Sequence, residues 1–281
     1  MQATIQYIKK ELAELYPETE VQGFIRLIFE SVCGLSFTEQ ILKKDEKLNL
    51  PEIQKIEAII QRLKTHEPIQ YIFGEIEFYG LNLNLTSSVL IPRPETEELV
   101  QWIIESNSFD SPRILDIGTG SGCIPLALKS KIKNASVSGV DISEDALEVA
   151  KQNASLNNLD VSFFQTDILD WENYKWNTFD VIVSNPPYVR ELEKQEMQTN
   201  VLEYEPENAL FVSDEDPLIF YRRIAEFAQK YLVKDGKLFF EINEYLGKEM
   251  CNLLEHKDFV DIVVKKDMNG RDRMVYCRKK N

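Results

Sequence analysis

Apolar residues recur at three- and four-residue spacings through the first seventy positions: Ile5, Ile8, Leu12 and Leu15, then Phe24, Leu27 and Ile28, then Ile53, Ile56, Ile59, Ile60 and Leu63. That period puts each set on one face of a helix, and Pro17 and Pro51 punctuate the runs. Residues 1–70 are therefore expected to form a small helical bundle. From Phe73 to Ile91 the pattern changes to alternation, with Leu81, Leu83 and Leu85 separated by Asn82 and Asn84 after the turn signal Tyr79-Gly80. A period of two marks strands, so residues 71–91 read as a β-hairpin linker. From Arg113 onward short apolar runs alternate with helical stretches, the pattern of βαβ units; residues 92–281 are expected to form an α/β domain around a mostly parallel, Rossmann-like sheet. Near the end of the chain, strand-like Phe259 to Val264 and Met274 to Arg278 flank Asn269-Gly270, a hairpin signal that makes the last strand antiparallel.

Three of the strand-like runs end on residues with chemistry. Arg113 to Ile117 leads into Gly118-Thr119-Gly120-Ser121-Gly122 and then a helix-like stretch from Cys123. A strand, a glycine turn and a helix N-terminus let the backbone approach a nucleotide-like ligand closely. The glycines fall as G-x-G-x-G, without the wider spacing of the dinucleotide fingerprint, which favours a cofactor lacking a pyrophosphate. Asp141 ends the next run, suited to accept hydrogen bonds from both hydroxyls of a ribose. Asp167, followed by Ile168, closes the third run, suited to face the exocyclic amine of an adenine. Asp116 lies inside the first motif, where it can orient the loop or face a ligand's ammonium group. Each aspartate alone also reads as a turn residue; three at successive strand ends point to one crevice at the carboxyl edge of the sheet.

After the apolar run Phe179 to Val183 comes Asn185-Pro186-Pro187-Tyr188. Two prolines straight after a strand push the chain out as a rigid loop with free carbonyls. A flat NH2 group entering that loop can donate one hydrogen to the Asn185 side-chain oxygen and one to a main-chain carbonyl, with the Tyr188 ring stacked on its plane. The same residues read alone are also an ordinary turn.

Together, the Asp-Ile-Gly-Thr-Gly-Ser-Gly loop, Asp141 and the Asn-Pro-Pro-Tyr loop resemble a class I methyltransferase that uses S-adenosylmethionine and modifies a planar amino or amide nitrogen. The blocks upstream narrow the resemblance. Pro68 to Gly74, Glu77-Phe78-Tyr79-Gly80, and Leu90-Ile91-Pro92-Arg93-Pro94-Glu95-Thr96-Glu97 are similar to the HemK/PrmC family of protein-glutamine N5 methyltransferases. The likeness continues through Glu205 to Leu210, Tyr221 to Ile224 and Asp267 to Arg273, spanning residues 66–278. It implies peptide chain release factors as substrates and S-adenosylmethionine as cofactor; residues 1–70, which carry no catalytic constellation of their own, either pack on the larger domain as a scaffold or recognise the protein substrate. The implied cofactor set is Asp116, Gly118, Thr119, Gly120, Ser121, Gly122, Asp141, Asp167, Ile168 and Asn185. The implied catalytic residues are Asn185, Pro186 and Tyr188, with Pro187 added for substrate binding. His66 and the stretch Phe211 to Asp216 depart from the family pattern, outside the proposed chemistry. The Arg93, Glu95 and Glu97 block stays out of the catalytic set, because Glu95 also reads as a cap on a helix from Glu97 to Ile104.

Composition narrows the partners. A formal charge of −15 repels phosphate backbones, which argues against a DNA or RNA substrate and against the rival reading as an adenine-N6 methyltransferase. A third reading, a binding module that has lost activity, sits poorly with the intact glycine loop. Four scattered cysteines and two histidines offer no metal-ligand spacing, so no metal is expected, and Cys33 and Cys123 are expected to be buried thiols. Charges interrupt the N-terminal segment and no apolar run approaches a membrane span, so a cytoplasmic protein is expected.

Overall fold

The computed structural model describes residues 1–280. It separates into two compact units, Met1–Gly74 with Gln198–Tyr204, and Glu75–Met197 with Glu205 onward. The first holds helices α1 (Gln2–Leu12), α2 (Glu18–Cys33), α3 (Phe37–Leu42), α4 (Leu50–Leu63) and α5 (Ile69–Phe73). Its core takes Ile8, Leu12, Phe24, Ile28, Ile56, Ile60 and Leu63 from the predicted faces and adds Val21, Ile25 and Phe29 of α2. Asn49 starts α4 through a reciprocal cap, its side chain accepting from the Glu52 amide at 2.9 Å while Glu52 accepts from the Asn49 amide at 2.8 Å. Two expected core positions are exposed, and Ile5, Ile53 and Ile59 are part-buried. Leu15 lies beyond the end of α1, and Leu27 sits off the α2 stripe that Val21, Ile25 and Ile28 define. A later segment belongs to the same unit: the Tyr204 hydroxyl donates to the Thr65 carbonyl at 2.7 Å.

The second unit opens with a hairpin, β1 (Glu75–Phe78) and β2 (Leu81–Asn84), whose two turn residues Tyr79 and Gly80 both have positive φ, as a two-residue turn of matching twist requires. The hairpin is not a free linker. Asn153 accepts from the Asn84 amide at 2.7 Å and donates to the Asn84 carbonyl at 3.1 Å. There follow α6 (Pro94–Ser106), β3 (Arg113–Ile117), α7 (Cys123–Lys131), β4 (Ser136–Asp141), α8 (Glu144–Leu156), β5 (Ser162–Gln165), a 3-10 turn (Ile168–Asn173) and β6 (Phe179–Ser184). A short pair, β7 (Val189–Arg190) and β8 (Phe211–Val212), brackets α9 (Thr199–Tyr204) and α10 (Glu207–Leu210); α11 (Ile219–Tyr231), β9 (Leu232–Glu241), α12 (Gly247–His256), β10 (Phe259–Lys266) and β11 (Asp272–Lys279) complete the chain.

Seven strands form the main sheet in the order β10-β11-β9-β6-β3-β4-β5. Those from β9 to β5 are mutually parallel, and β11 runs antiparallel between β9 and β10. Helices cover both faces, so the central strands are largely apolar, with Ile114, Leu115, Val181, Ile182 and Val183 essentially without exposure and Asp116 and Ser184 as the buried polar exceptions on β3 and β6. The Asn269-Gly270 turn predicted from sequence joins β10 to β11, organised by Asp267, whose Oδ1 accepts from the amides of Asn269 and Arg271 at 2.9 and 3.0 Å. Among the described residues no helix is long and apolar enough to cross a membrane. All four cysteines are free; Cys33 and Cys123 are part-exposed rather than buried, and Cys277 is the one fully enclosed.

Candidate functional site

Strand register assembles the site. Ile117 of β3 pairs with Val140 of β4 on one side and Ser184 of β6 on the other. The next residue of each strand, Gly118, Asp141 and Asn185, therefore leaves the carboxyl edge of the sheet at one level. Around these loop starts lies a cavity of about 240 Å³. Gly118, Thr119, Gly120, Asp141, Asp167, Ile168, Asn185, Pro186 and Pro187 line it, so most of the residues picked from the sequence converge.

The glycine loop is held by the neighbouring strand. The amides of Gly118 and Thr119 donate to the Val140 carbonyl at 2.9 and 3.0 Å, and Gly118, Gly120 and Gly122 all have positive φ, where side chains with a Cβ are strained. Gly122 has a packing reason as well: a Cβ there would come within 3.1 Å of the Ala150 Cβ on α8. It does not line the cavity, and neither does Ser121, whose carbonyl accepts from Asn153 at 2.9 Å. Asp141 sits half-buried, its Oδ2 accepting from the Gly120 amide at 2.8 Å and its Oδ1 from the Ser143 amide at 3.0 Å. Burial raises its pKa, opposed by these amides. Asp167 caps the turn that follows it, accepting from the Leu169 amide at 2.8 Å.

Of the two places expected for Asp116, orienting the loop or facing a ligand's ammonium group, the second is not where it stands. It is wholly buried behind the loop and does not line the cavity. Neither carboxylate oxygen has a well-formed hydrogen bond, and the buried hydroxyls of Thr119 and Ser121 are likewise unpartnered. Burial pushes the Asp116 carboxyl up to about 7, the nearby Thr119 hydroxyl offsetting part of the rise.

Tyr188 also departs from expectation. It packs against the hydrophobic core and is not part of the cavity wall; its hydroxyl donates to Glu241 Oε1 at 3.0 Å. Glu241, at the end of β9, is 1% exposed, and its Oε2 accepts from the Thr96 hydroxyl at 2.7 Å. Asn185 Nδ2 lies 3.4 Å from the same Thr96 oxygen. Thr96 is reached because α6 begins at Pro94, earlier than the expected Glu97, and no side chain caps it; Glu95 stands in its first turn, where a negative charge suits the helix dipole. Arg93, on the cavity wall, donates to Glu205 at 2.5 Å, and Glu205 also accepts from the Ile91 amide at 3.2 Å.

The sequence pattern gives no role to Thr96 or Glu205, although both lie in the blocks named above, and does not single out Asn153 or Glu241. The available signals were a charged residue closing the apolar run Leu238-Phe239-Phe240 and polar residues on otherwise apolar helix faces.

The sheet order, with one antiparallel strand inserted beside β9, and a glycine loop level with a strand-end aspartate are those of a class I methyltransferase. Residues 95–212 match the model of the methyltransferase small domain, and a methyltransferase from Pyrococcus furiosus shares the fold with a TM-score of 0.53 at 19% identity, covering 80% of this chain and 98% of that one. Residues 3–74 match the PrmC N-terminal domain. The chain is 48% identical to the release factor glutamine methyltransferase of Flavobacterium psychrophilum, over 94% of both chains, and 45% identical to that of Bacteroides thetaiotaomicron, over 96% of both. It belongs to the release factor glutamine methyltransferase family.

The residues present fit S-adenosylmethionine. A half-buried carboxylate with free lone pairs, a backbone cradle of positive-φ glycines and an apolar wall around Ile117, Ile124, Val140 and Ile168 match a ribose, an amino-acid tail and a purine in turn.

Proposed function

We propose that this chain transfers a methyl group from S-adenosylmethionine to the side-chain amide nitrogen of a glutamine in peptide chain release factors, in the cytoplasm and without contact to nucleic acid. The single observation that supports the reading is that Gly118, Asp141, Asn185 and Pro186 line one cavity, the first two read here as a cofactor cradle and the last two as an amide pocket. When bound, the cofactor supplies an electrophilic methyl group on sulfur. The chain's own residues orient the acceptor and keep water out. A glutamine amide is a weak nucleophile because its lone pair is delocalised into the carbonyl. The Asn185 side-chain oxygen and the Pro186 carbonyl accept its two hydrogens and favour the positive charge that develops on nitrogen. No strong base is required, since the proton is acidic only after the new bond has formed. Asp141 holds the ribose hydroxyls, and Asp167 with Ile168 the adenine.

Asp141→Ala is expected to weaken cofactor binding by about 1.5–3 kcal/mol, the size of lost charged hydrogen bonds. Each of its oxygens takes one backbone amide and keeps lone pairs for a ligand. Calorimetric titration decides it, and unchanged affinity removes the residue from the site.

We also assign residues 1–70 to recognition of the protein substrate. Intact release factor is therefore expected to be methylated at least about tenfold more efficiently, in kcat/KM, than a peptide carrying the same glutamine. Equal efficiency reduces the helical unit to a scaffold. Label transfer to release factor, DNA and RNA in parallel tests the whole reading: methylation of nucleic acid but not of protein overturns it.

A further inference from the structure

We propose that Thr96 and Glu241 are positioning residues that fix which end of the Asn185 amide is offered to the substrate, an inference that rests on the amide-pocket reading above. Strands β6 and β9 are parallel neighbours with Ser184 opposite Phe240, so Asn185 and Glu241 leave the sheet at one level. Glu241 is enclosed, and each carboxylate oxygen receives one hydroxyl: Thr96 on Oε2 at 2.7 Å and Tyr188 on Oε1 at 3.0 Å. Burial raises the Glu241 pKa, while the Thr96 and Tyr188 hydroxyls and the charge of Arg273 favour its ionised form; ionised, the carboxylate only accepts, so both hydroxyl protons point at it.

A threonine hydroxyl has one proton. Once that proton is committed to Glu241, Thr96 has only lone pairs left for Asn185, and the Asn185 NH2, 3.4 Å away, must be the donor. The amide is planar with nitrogen and oxygen on opposite sides. Holding nitrogen at Thr96 turns the oxygen away from Thr96, free to accept from a substrate NH2. A reversed amide would set donor against donor and remove the acceptor.

The same carboxylate ties the far end of the loop. Tyr188 is bound directly through its hydroxyl, and its carbonyl accepts from Asn243 Nδ2 at 3.1 Å. Glu241 thus anchors both flanks of Pro186-Pro187, one through Thr96 and one through Tyr188.

Two variants of Thr96 separate this role from simple packing. Thr96→Val keeps the shape and loses the hydroxyl; Thr96→Ser keeps the hydroxyl and loses a methyl. With full-length protein and intact release factor, the serine variant is expected to show kcat at least about tenfold above the valine variant, while their cofactor affinities agree within about twofold. Glu241→Gln is expected to lower kcat by about tenfold or more at similar cofactor affinity, because its NH2 forces one hydroxyl to become an acceptor. Valine equal to or better than serine overturns the inference, whether or not the Glu241 variant folds. Asn185→Ala in the same assay keeps the two readings apart. If it turns over normally, the amide pocket itself falls; if it is impaired while the valine and serine variants match, only the positioning role falls.

Discussion

Replacing Asn185 by alanine is expected to lower turnover about a hundredfold or more while leaving cofactor affinity nearly unchanged, the pattern of a lost preorganised polar contact. The two effects separate because the residue meets the rest of the site in two ways. Its side chain supplies the proposed acceptor for the substrate amide. Its backbone carbonyl lies beside the glycine loop, 3.8 Å from where a Cβ on Gly118 would stand, and the truncation leaves that contact in place. Steady-state kinetics with release factor, set beside calorimetric titration with cofactor, gives both numbers. Parallel loss of rate and cofactor affinity would make Asn185 a structural residue, and near-normal turnover would exclude an amide pocket.

Asp116→Asn is expected to be increasingly more stable than the parent as pH rises. The folded-state pKa of Asp116 is raised to about 7 from the ordinary aspartate range near 4, because the carboxyl is wholly buried and the nearby Thr119 hydroxyl offsets only part of the rise. The folded chain therefore keeps a proton that the unfolded chain has already released. Between about pH 4 and pH 7 each unit of rising pH favours unfolding by up to about 1.4 kcal/mol, and above pH 7 the loss is complete. Asparagine cannot ionise and escapes it. The stability difference between the two proteins should grow by on the order of 3 kcal/mol from pH 5 to pH 8, read from denaturant midpoints. A constant difference would show that the carboxyl is not held in its neutral form.

Much of this fold was legible in the chain because the patterns are local. Three- and four-residue spacing marked the helices, alternation marked the β1–β2 hairpin, and Asn269-Gly270 marked the antiparallel end of the sheet. The loop residues of the cavity were legible because a parallel sheet carries each strand's next residue to the same edge; naming Gly118, Asp141 and Asn185 required only the strand ends. What escaped was lateral. Thr96, Glu205 and Glu241 act through partners 145, 112 and 53 residues away along the chain, and no spacing rule marks such pairs. Tyr188 and Asp116 carried the right chemistry but faced inward: a phenol that finds a buried carboxylate within reach packs there rather than on a ligand plane, and the apolar strand β3 draws its aspartate into the core.

The Arg93–Glu205 pair bears on how the cavity wall holds together. Glu205 has a side chain only 1% exposed and holds both the Arg93 guanidinium and the Ile91 amide, while Asn208 and Ala209 a few residues later join Pro92 and Arg93 on the wall. Two stretches far apart in the chain are thus latched by an ion pair whose carboxylate is buried and whose guanidinium is about a third exposed. Separating the two stretches would leave the Glu205 carboxylate buried without its cation, a cost that dissolved salt, which screens exposed charges, does little to relieve.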